Sequence, residues 1–272
     1  MYASLLPHVL QLSRAAGDAI MQVYNTADFN VDMKADNSPL TQADLNAHKV
    51  LEPGLLALLD GVPVLSEESE LPSWETRKQW NRYWIIDPLD GTKEFIKRNG
   101  EFTVNIALIE NGEPVLGVVH VPALGISYSG VKNGGAFKYE NGQQKPIHTR
   151  KMAERNAGYT VAVVASRSHG AGAVDELLLR LGVELGDIQL KNMGSSLKLC
   201  LVAEGEADLY PRLALTSEWD TAAAQAVVEA AGGQVLTEAL DVMRYNTKDD
   251  ILNPFFHVIG DPSFDWKTVL NP

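Results

Sequence analysis

Residues 84–138 constrain the fold more than any other part of this chain, because they string short apolar runs between turn signals and leave no room for a long helix. Phe102, Val104, Ile106 and Leu108 alternate with polar or small residues, as a half-buried strand does. Asn111-Gly112 then turns the chain, and residues 115–121, 126–129 and 136–138 read as further strands joined through Gly125 and Gly134-Gly135. The result is an antiparallel meander, preceded by short apolar runs at residues 62–65 and 84–86.

A sheet of this kind needs apolar cover. The N-terminal segment supplies it: Leu6, Val9, Leu10, Ala16, Ile20 and Val23 recur at threes and fours and make one helical stripe. A second helix opens at Thr41 and carries Leu45, Val50, Leu55 and Leu58, with a kink or stop expected at Pro53-Gly54. Residues 139–158 are polar and mark the expected boundary between an N-terminal α+β half, 1–150, and a C-terminal half, 151–272. In that second half strands at 160–165, 208–210, Val235 and 255–259 are interspersed with helices at 174–181, 197–203 and 221–231, the pattern of layered α/β packing. With 272 residues, 45% of them hydrophobic, the chain can bury a substantial core, as one large domain or two packed halves.

The formal charge of -12 argues against a nucleic-acid partner, which would need a basic footprint. A small anionic ligand would have to rely on metal ions, helix starts and a few placed cations. No apolar run reaches about eighteen residues, so no segment is expected to span a membrane. The N-terminus lacks a basic leader and a small-residue cleavage site and reads as an ordinary helix. Cys200 is the lone cysteine and sits in an apolar run, which fits an inert thiol in a reducing, cytoplasmic setting.

Against this background the carboxylates stand out. Trp84-Ile85-Ile86-Asp87-Pro88-Leu89-Asp90-Gly91-Thr92 runs an apolar strand into a turn bearing two aspartates. Glu67-Glu68 follows another apolar run, and Asp220 opens an alanine-rich helix. Hard divalent cations take such oxygen ligands. Each residue also has a plain structural use: Asp87 and Asp90 as turn caps, Asp220 as a helix cap, and Asp44 in a capping box with Thr41. If Asp44 meets Thr92 in space, the two form a general-base relay to a water.

Three motifs in order, Ser66-Glu67-Glu68-Ser69, then residues 84–92, then Trp219-Asp220-Thr221-Ala222-Ala223 with Ala230-Ala231-Gly232-Gly233, make the chain resemble the inositol monophosphatase superfamily of lithium-sensitive phosphatases. The resemblance implies an αβαβα layered sandwich of sugar-phosphatase type and a centre of two or three Mg²⁺ ions. By it, Glu67, Asp87 and the Leu89 carbonyl would hold one ion, and Asp87, Asp90 and Asp220 a second. Thr92 and Glu67 would align the attacking water, Asp44 would polarise Thr92, and the Gly91 and Thr92 amides would receive phosphate oxygens. Glu68 would stand behind the ligands.

Substrate choice falls to the second half, at Ser166-Arg167-Ser168-His169, Gly194-Ser195-Ser196-Leu197-Lys198 and Tyr210-Pro211-Arg212. Two cations, Lys198 and Arg212, suit a second phosphate better than a ring of hydroxyls. With residues 93–102 they make the chain similar to bacterial 3'(2'),5'-bisphosphate nucleotidases, whose substrate is adenosine 3',5'-bisphosphate. That resemblance implies that Ser195, Lys198 and Arg212 hold the 5'-phosphate or ribose side, with His169 nearby. The sulfated relative of that nucleotide is a further expected substrate. The alternative inside the superfamily is an inositol monophosphatase or another small sugar-phosphate phosphatase. The resemblance also allows peripheral contact with the inner face of a membrane, although no basic amphipathic anchor is present.

Overall fold

The structure, a computed structural model, describes residues 2–26, 31–33, 39–152, 160–165 and 171–270. Helix α1 (Leu6–Tyr24) buries Val9, Leu10, Ala16 and Ile20 along one stripe and packs beside α2 (Gln42–Leu58). Between them lies a short ribbon, β1 (Val31–Met33) with β2 (Pro39–Thr41). Of the kink or stop expected at Pro53-Gly54 the stop does not occur, since α2 continues through Pro53 to Leu58. Pro53 and Lys49 are both exposed, so the carbonyl that proline leaves without an amide lies where water reaches it, while Leu51 and Leu55 on either side are fully buried. Gly54 is a point of close approach rather than a breaker, since a Cβ there would lie 2.4 Å from Leu12 of α1.

The first sheet has seven strands in the spatial order β3 (Val64–Ser66), β4 (Arg82–Asp90), β5 (Thr103–Glu110), β6 (Glu113–Val121), β7 (Ile126–Val131), β8 (Gly135–Glu140) and β9 (Gln143–Ile147). Only β3 and β4 pair parallel; the rest is the antiparallel meander read from sequence, lengthened by β9. Strand β5 departs from expectation, being buried on both faces. Val104, Ile106 and Leu108 pack under α1 and α2, whereas Ala107 and Ile109 join the core on the other side. The polar segment assigned to a boundary contributes β9, which extends the first sheet to Ile147.

The second sheet has five strands in the order β11 (Ile188–Asn192), β10 (Val161–Ala165), β12 (Leu209–Arg212), β14 (Phe256–Ile259) and β13 (Gln234–Thr237). Helices α6 (Leu197–Ala203) and α7 (Glu218–Ala231) lie between the sheets, and α5 (Ala171–Leu185) packs with α8 (Lys267–Leu270) on the outside. The layers are therefore αβαβα. Two short helices, α3 (Trp74–Arg77) and α4 (Thr92–Ile96), sit beside β4 in sequence. The run of buried alanines in α7, Ala222, Ala223, Ala224 and Ala226, allows the helix to lie almost on the backbone of β6 and β7. At Gly117 and Gly130 a Cβ would come within 2.1 Å and 2.3 Å of its carbonyl oxygens. No helix among the described residues is long and apolar enough to cross a membrane.

Candidate active site

The parallel pairing of β3 with β4 sets Ser66 opposite Ile86, so Glu67, the first residue past the end of β3, comes beside Asp87, which is still in β4 and paired with Asn105 of β5. Between Asp87 and Asp90 the pairing of β4 with β5 slips, and such a bulge re-aims side chains. Asp87 is 1% exposed and its Oδ1 accepts the Leu89 amide at 3.0 Å. Asp220 comes from the first turn of α7, where its Oδ2 accepts the Ser217 amide at 2.8 Å and completes a capping box. It is thus both a cap and part of the cluster. Ligand oxygens of Glu67, Asp87 and Asp220 all lie within 4.8 Å of one another.

Asp90 stands beside that trio rather than in it. Its Oδ2 accepts from the Ser196 amide at 2.6 Å, the Ser196 hydroxyl at 2.7 Å, Thr103 Oγ1 at 3.3 Å and Asn105 Nδ2 at 3.5 Å. Burial, then the charges of Glu67, Asp90 and Asp220, pushes the Asp87 carboxyl well above the usual carboxylate range. Burial likewise raises Asp220, followed by Asp90 and Glu67. Buried carboxylates that repel one another are relieved by a divalent cation, and an all-oxygen set suits a hard one. The residues present fit a metal centre. Glu68, whose amide donates to Ser66 Oγ at 3.2 Å, is not one of the trio.

Asp44 and Thr92 do meet. Thr92 Oγ1 lies 3.4 Å from Asp44 Oδ1 and equally far from the Leu89 carbonyl oxygen. The other oxygen of Asp44 accepts both the amide and the hydroxyl of Thr41, at 2.8 Å and 2.7 Å, so the carboxylate is fixed. Gly91 begins α4 with φ of 91°, and a Cβ there would approach Glu101 O at 3.2 Å and Ser195 Cβ at 3.3 Å.

A pocket lies beside the carboxylates, lined by Asp90, Gly91, Ser195, Lys198, Arg212 and Asp220 together with Tyr210 and Phe256. Lys198 is 6% exposed, donates to the Ser195 carbonyl at 2.6 Å and stands 5.6 Å from the Tyr210 ring centroid. Burial pulls its ammonium down to about 8, against the opposing pull of Asp90. Arg212 is braced by the Ala214 and Leu215 carbonyls at 3.2 Å and 3.0 Å. His169, with residues 166–168, lies outside the described residues. Sequence reasoning passed over Thr103 and Asn105 around Asp90, and it quoted Ser196 and Glu101 only within longer segments without the roles seen here, Ser196 bonding Asp90 and Glu101 accepting the Gly194 amide at 2.8 Å. For Ser196, Thr103 and Asn105 the only signal was position, since neutral side chains at strand ends and loops carry no mark of their own.

The sequence model of the Inositol monophosphatase family matches residues 1–253. The 3'(2'),5'-bisphosphate nucleotidase CysQ of Escherichia coli strain K12 is 51% identical over 255 residues, covering 93% of this chain and 99% of its own. The crystal structure of CysQ from Bacteroides thetaiotaomicron, a bacterial member of the inositol monophosphatase family, is similar with a TM-score of 0.79 and 42% identity, over 96% of this chain and 98% of its own. The IMPase of Thermotoga maritima is similar with a TM-score of 0.78 at 24% identity, over 98% and 97%, a likeness of fold alone. With a family match over nearly the whole chain and relatives this close, the chain belongs to the inositol monophosphatase family.

Proposed function

We propose that the chain is a Mg²⁺-dependent 3'(2'),5'-bisphosphate nucleotidase, a phosphoric monoester hydrolase that takes adenosine 3',5'-bisphosphate to AMP and phosphate. The name carried by the relative of E. coli, at 51% identity over 93% of this chain, supports the activity. The observation that carries the substrate class is Lys198, a buried cation in the same pocket as Asp90 and Asp220. A second phosphate there would be held at a fixed distance from the one being cleaved, with Arg212 and Ser195 beside it.

In this reading Glu67, Asp87, the Leu89 carbonyl, Asp90 and Asp220 hold two or three ions. Bound there, Mg²⁺ would supply charge stabilisation at the phosphoryl oxygens and a more acidic water. The chain's own residues then do three things. The Asp44 carboxylate accepts the Thr92 proton, leaving the Thr92 oxygen able to accept one from the attacking water. Glu67 orients that water from the other side. The amides at the start of α4 receive phosphate oxygens as the water oxygen bonds to phosphorus and the bond to the 3'-oxygen breaks, the released 3'-oxygen taking up a proton from solvent to become the ribose hydroxyl of AMP. A cytoplasmic location belongs to the same reading, supported by the single, buried Cys200.

A substrate panel at fixed Mg²⁺ tests the proposal. Adenosine 3',5'-bisphosphate should release phosphate fastest, its sulfated relative should also react, and inositol phosphate and fructose bisphosphate should lag. Millimolar lithium should inhibit. Full activity in excess chelator, or preference for inositol phosphate, would overturn the reading.

A further inference from the structure

Ser196 precedes α6 at the position where a serine ordinarily caps a helix, yet its side chain makes no cap bond. The hydroxyl is used elsewhere. It is 2% exposed, accepts from Asn105 Nδ2 at 2.8 Å, and lies 2.7 Å from both Asp90 Oδ2 and the main-chain oxygen of Asp220. Its single proton can serve one of these acceptors at a time. The Ser196 amide adds a second donor to the same Asp90 oxygen at 2.6 Å. One carboxylate oxygen is thus occupied by donors, and Oδ1 is the oxygen that the reading of Asp90 as a ligand calls on. The same hydroxyl ties β4 and β5 to the start of α7.

We propose that Ser196 is a positioning residue of the metal centre: it fixes the orientation of Asp90 and couples that carboxylate to the main chain of Asp220. The proposal rests on the reading of Asp90 as a ligand given above. Removal of a hydrogen-bond partner behind a metal ligand commonly weakens metal binding 10- to 100-fold.

The test is Mn²⁺ binding by electron paramagnetic resonance, in the absence of substrate, on the full chain and on S196A, D90N and the double variant. S196A should raise the Mn²⁺ dissociation constant roughly tenfold. Turnover should recover at high metal, and substrate KM at saturating metal should hold. In the D90N background S196A should weaken binding no further, because its effect runs through Asp90. Wild-type Mn²⁺ affinity in S196A, or losses that simply add in the double variant, would overturn the proposal. D90N binding Mn²⁺ as tightly as wild type would overturn the ligand assignment itself, a separable failure. If chelator-treated S196A does not fold, S196C, with a weaker donor of similar size, replaces it; an intermediate loss supports the proposal and an unchanged affinity overturns it.

Discussion

Gly117 lies on β6 directly under α7, and an alanine there would place its Cβ 2.1 Å from the Ala223 carbonyl oxygen and 2.7 Å from the Ala226 Cβ. Ordinary contact begins near 3.4 Å, so the helix must retreat by roughly 1.3 Å or the strand must bend. The nearest wall is backbone, which has no rotamer to escape into. Overpacking costs about 1–3 kcal/mol, and a clash with main chain belongs at the top of that range. About 3 kcal/mol lowers the melting temperature of a chain this size by about 5–10 °C. Asp220 rides on the first turn of the same helix, and a displacement of about 1 Å at a reacting centre costs on the order of 100-fold in rate. Calorimetry and Mg²⁺-dependent phosphate release on G117A read the two effects separately. The same change at Gly182 in α5, where nothing lies within 4 Å, should instead stabilise by about 0.5–1 kcal/mol and leave turnover alone. G117A that melts with the wild type refutes the packing argument, and G117A that melts early yet turns over fully refutes the link from α7 to the site.

Thr92→Val keeps the side chain's size and removes the hydroxyl that faces Asp44, so turnover should fall about 10²- to 10⁴-fold with the melting temperature nearly unchanged; near-normal turnover would remove Thr92 from the chemistry. Because burial sets the Lys198 ammonium at about 8, it is charged below that pH and neutral above, and KM for the bisphosphate should climb between about pH 7 and 9. Lys198→Ala should flatten that climb and raise KM for the bisphosphate about tenfold or more, sparing a monophosphate; equal losses on both would argue against a second-phosphate site.

The meander was legible because its apolar runs end at glycine or Asn-Gly turns, and residues 102–108 alternate at period two. What misled was the meaning of small residues. Ala107 read as the outer side of a half-buried strand, but it joins the core that α7 shares, and at Gly117, within the next strand, α7 comes so close that no larger residue fits. Pro53-Gly54 read as a kink or stop, yet the helix continues: proline is tolerable where its orphaned carbonyl meets water, and the glycine answers to Leu12 across the helix pair. Strands β9 and β11 were missed because both are sheet edges with largely exposed, polar residues, carrying little apolar pattern. In the site, Glu67, Asp87 and Asp220 could be picked out by charge and by their places at strand ends and a helix start. The neutral residues that set Asp90, above all Ser196, became visible only once β4, β5 and α6 were seen to converge.

The three clustered carboxylates hang on elements that differ widely in how readily they open. Helix α7 is enclosed by both sheets, so its amides should exchange with solvent only when the whole fold comes apart. Strand β3, which leads into Glu67, is three residues long and lies at the edge of its sheet. Glu67, held to β4 by its amide's bond to the Ile86 carbonyl, should therefore be released by fraying at lower free energy than α7, with the rest of the molecule intact. A cation seated among the carboxylates binds only the closed arrangement, and mass action then slows that fraying in proportion to its concentration over its dissociation constant.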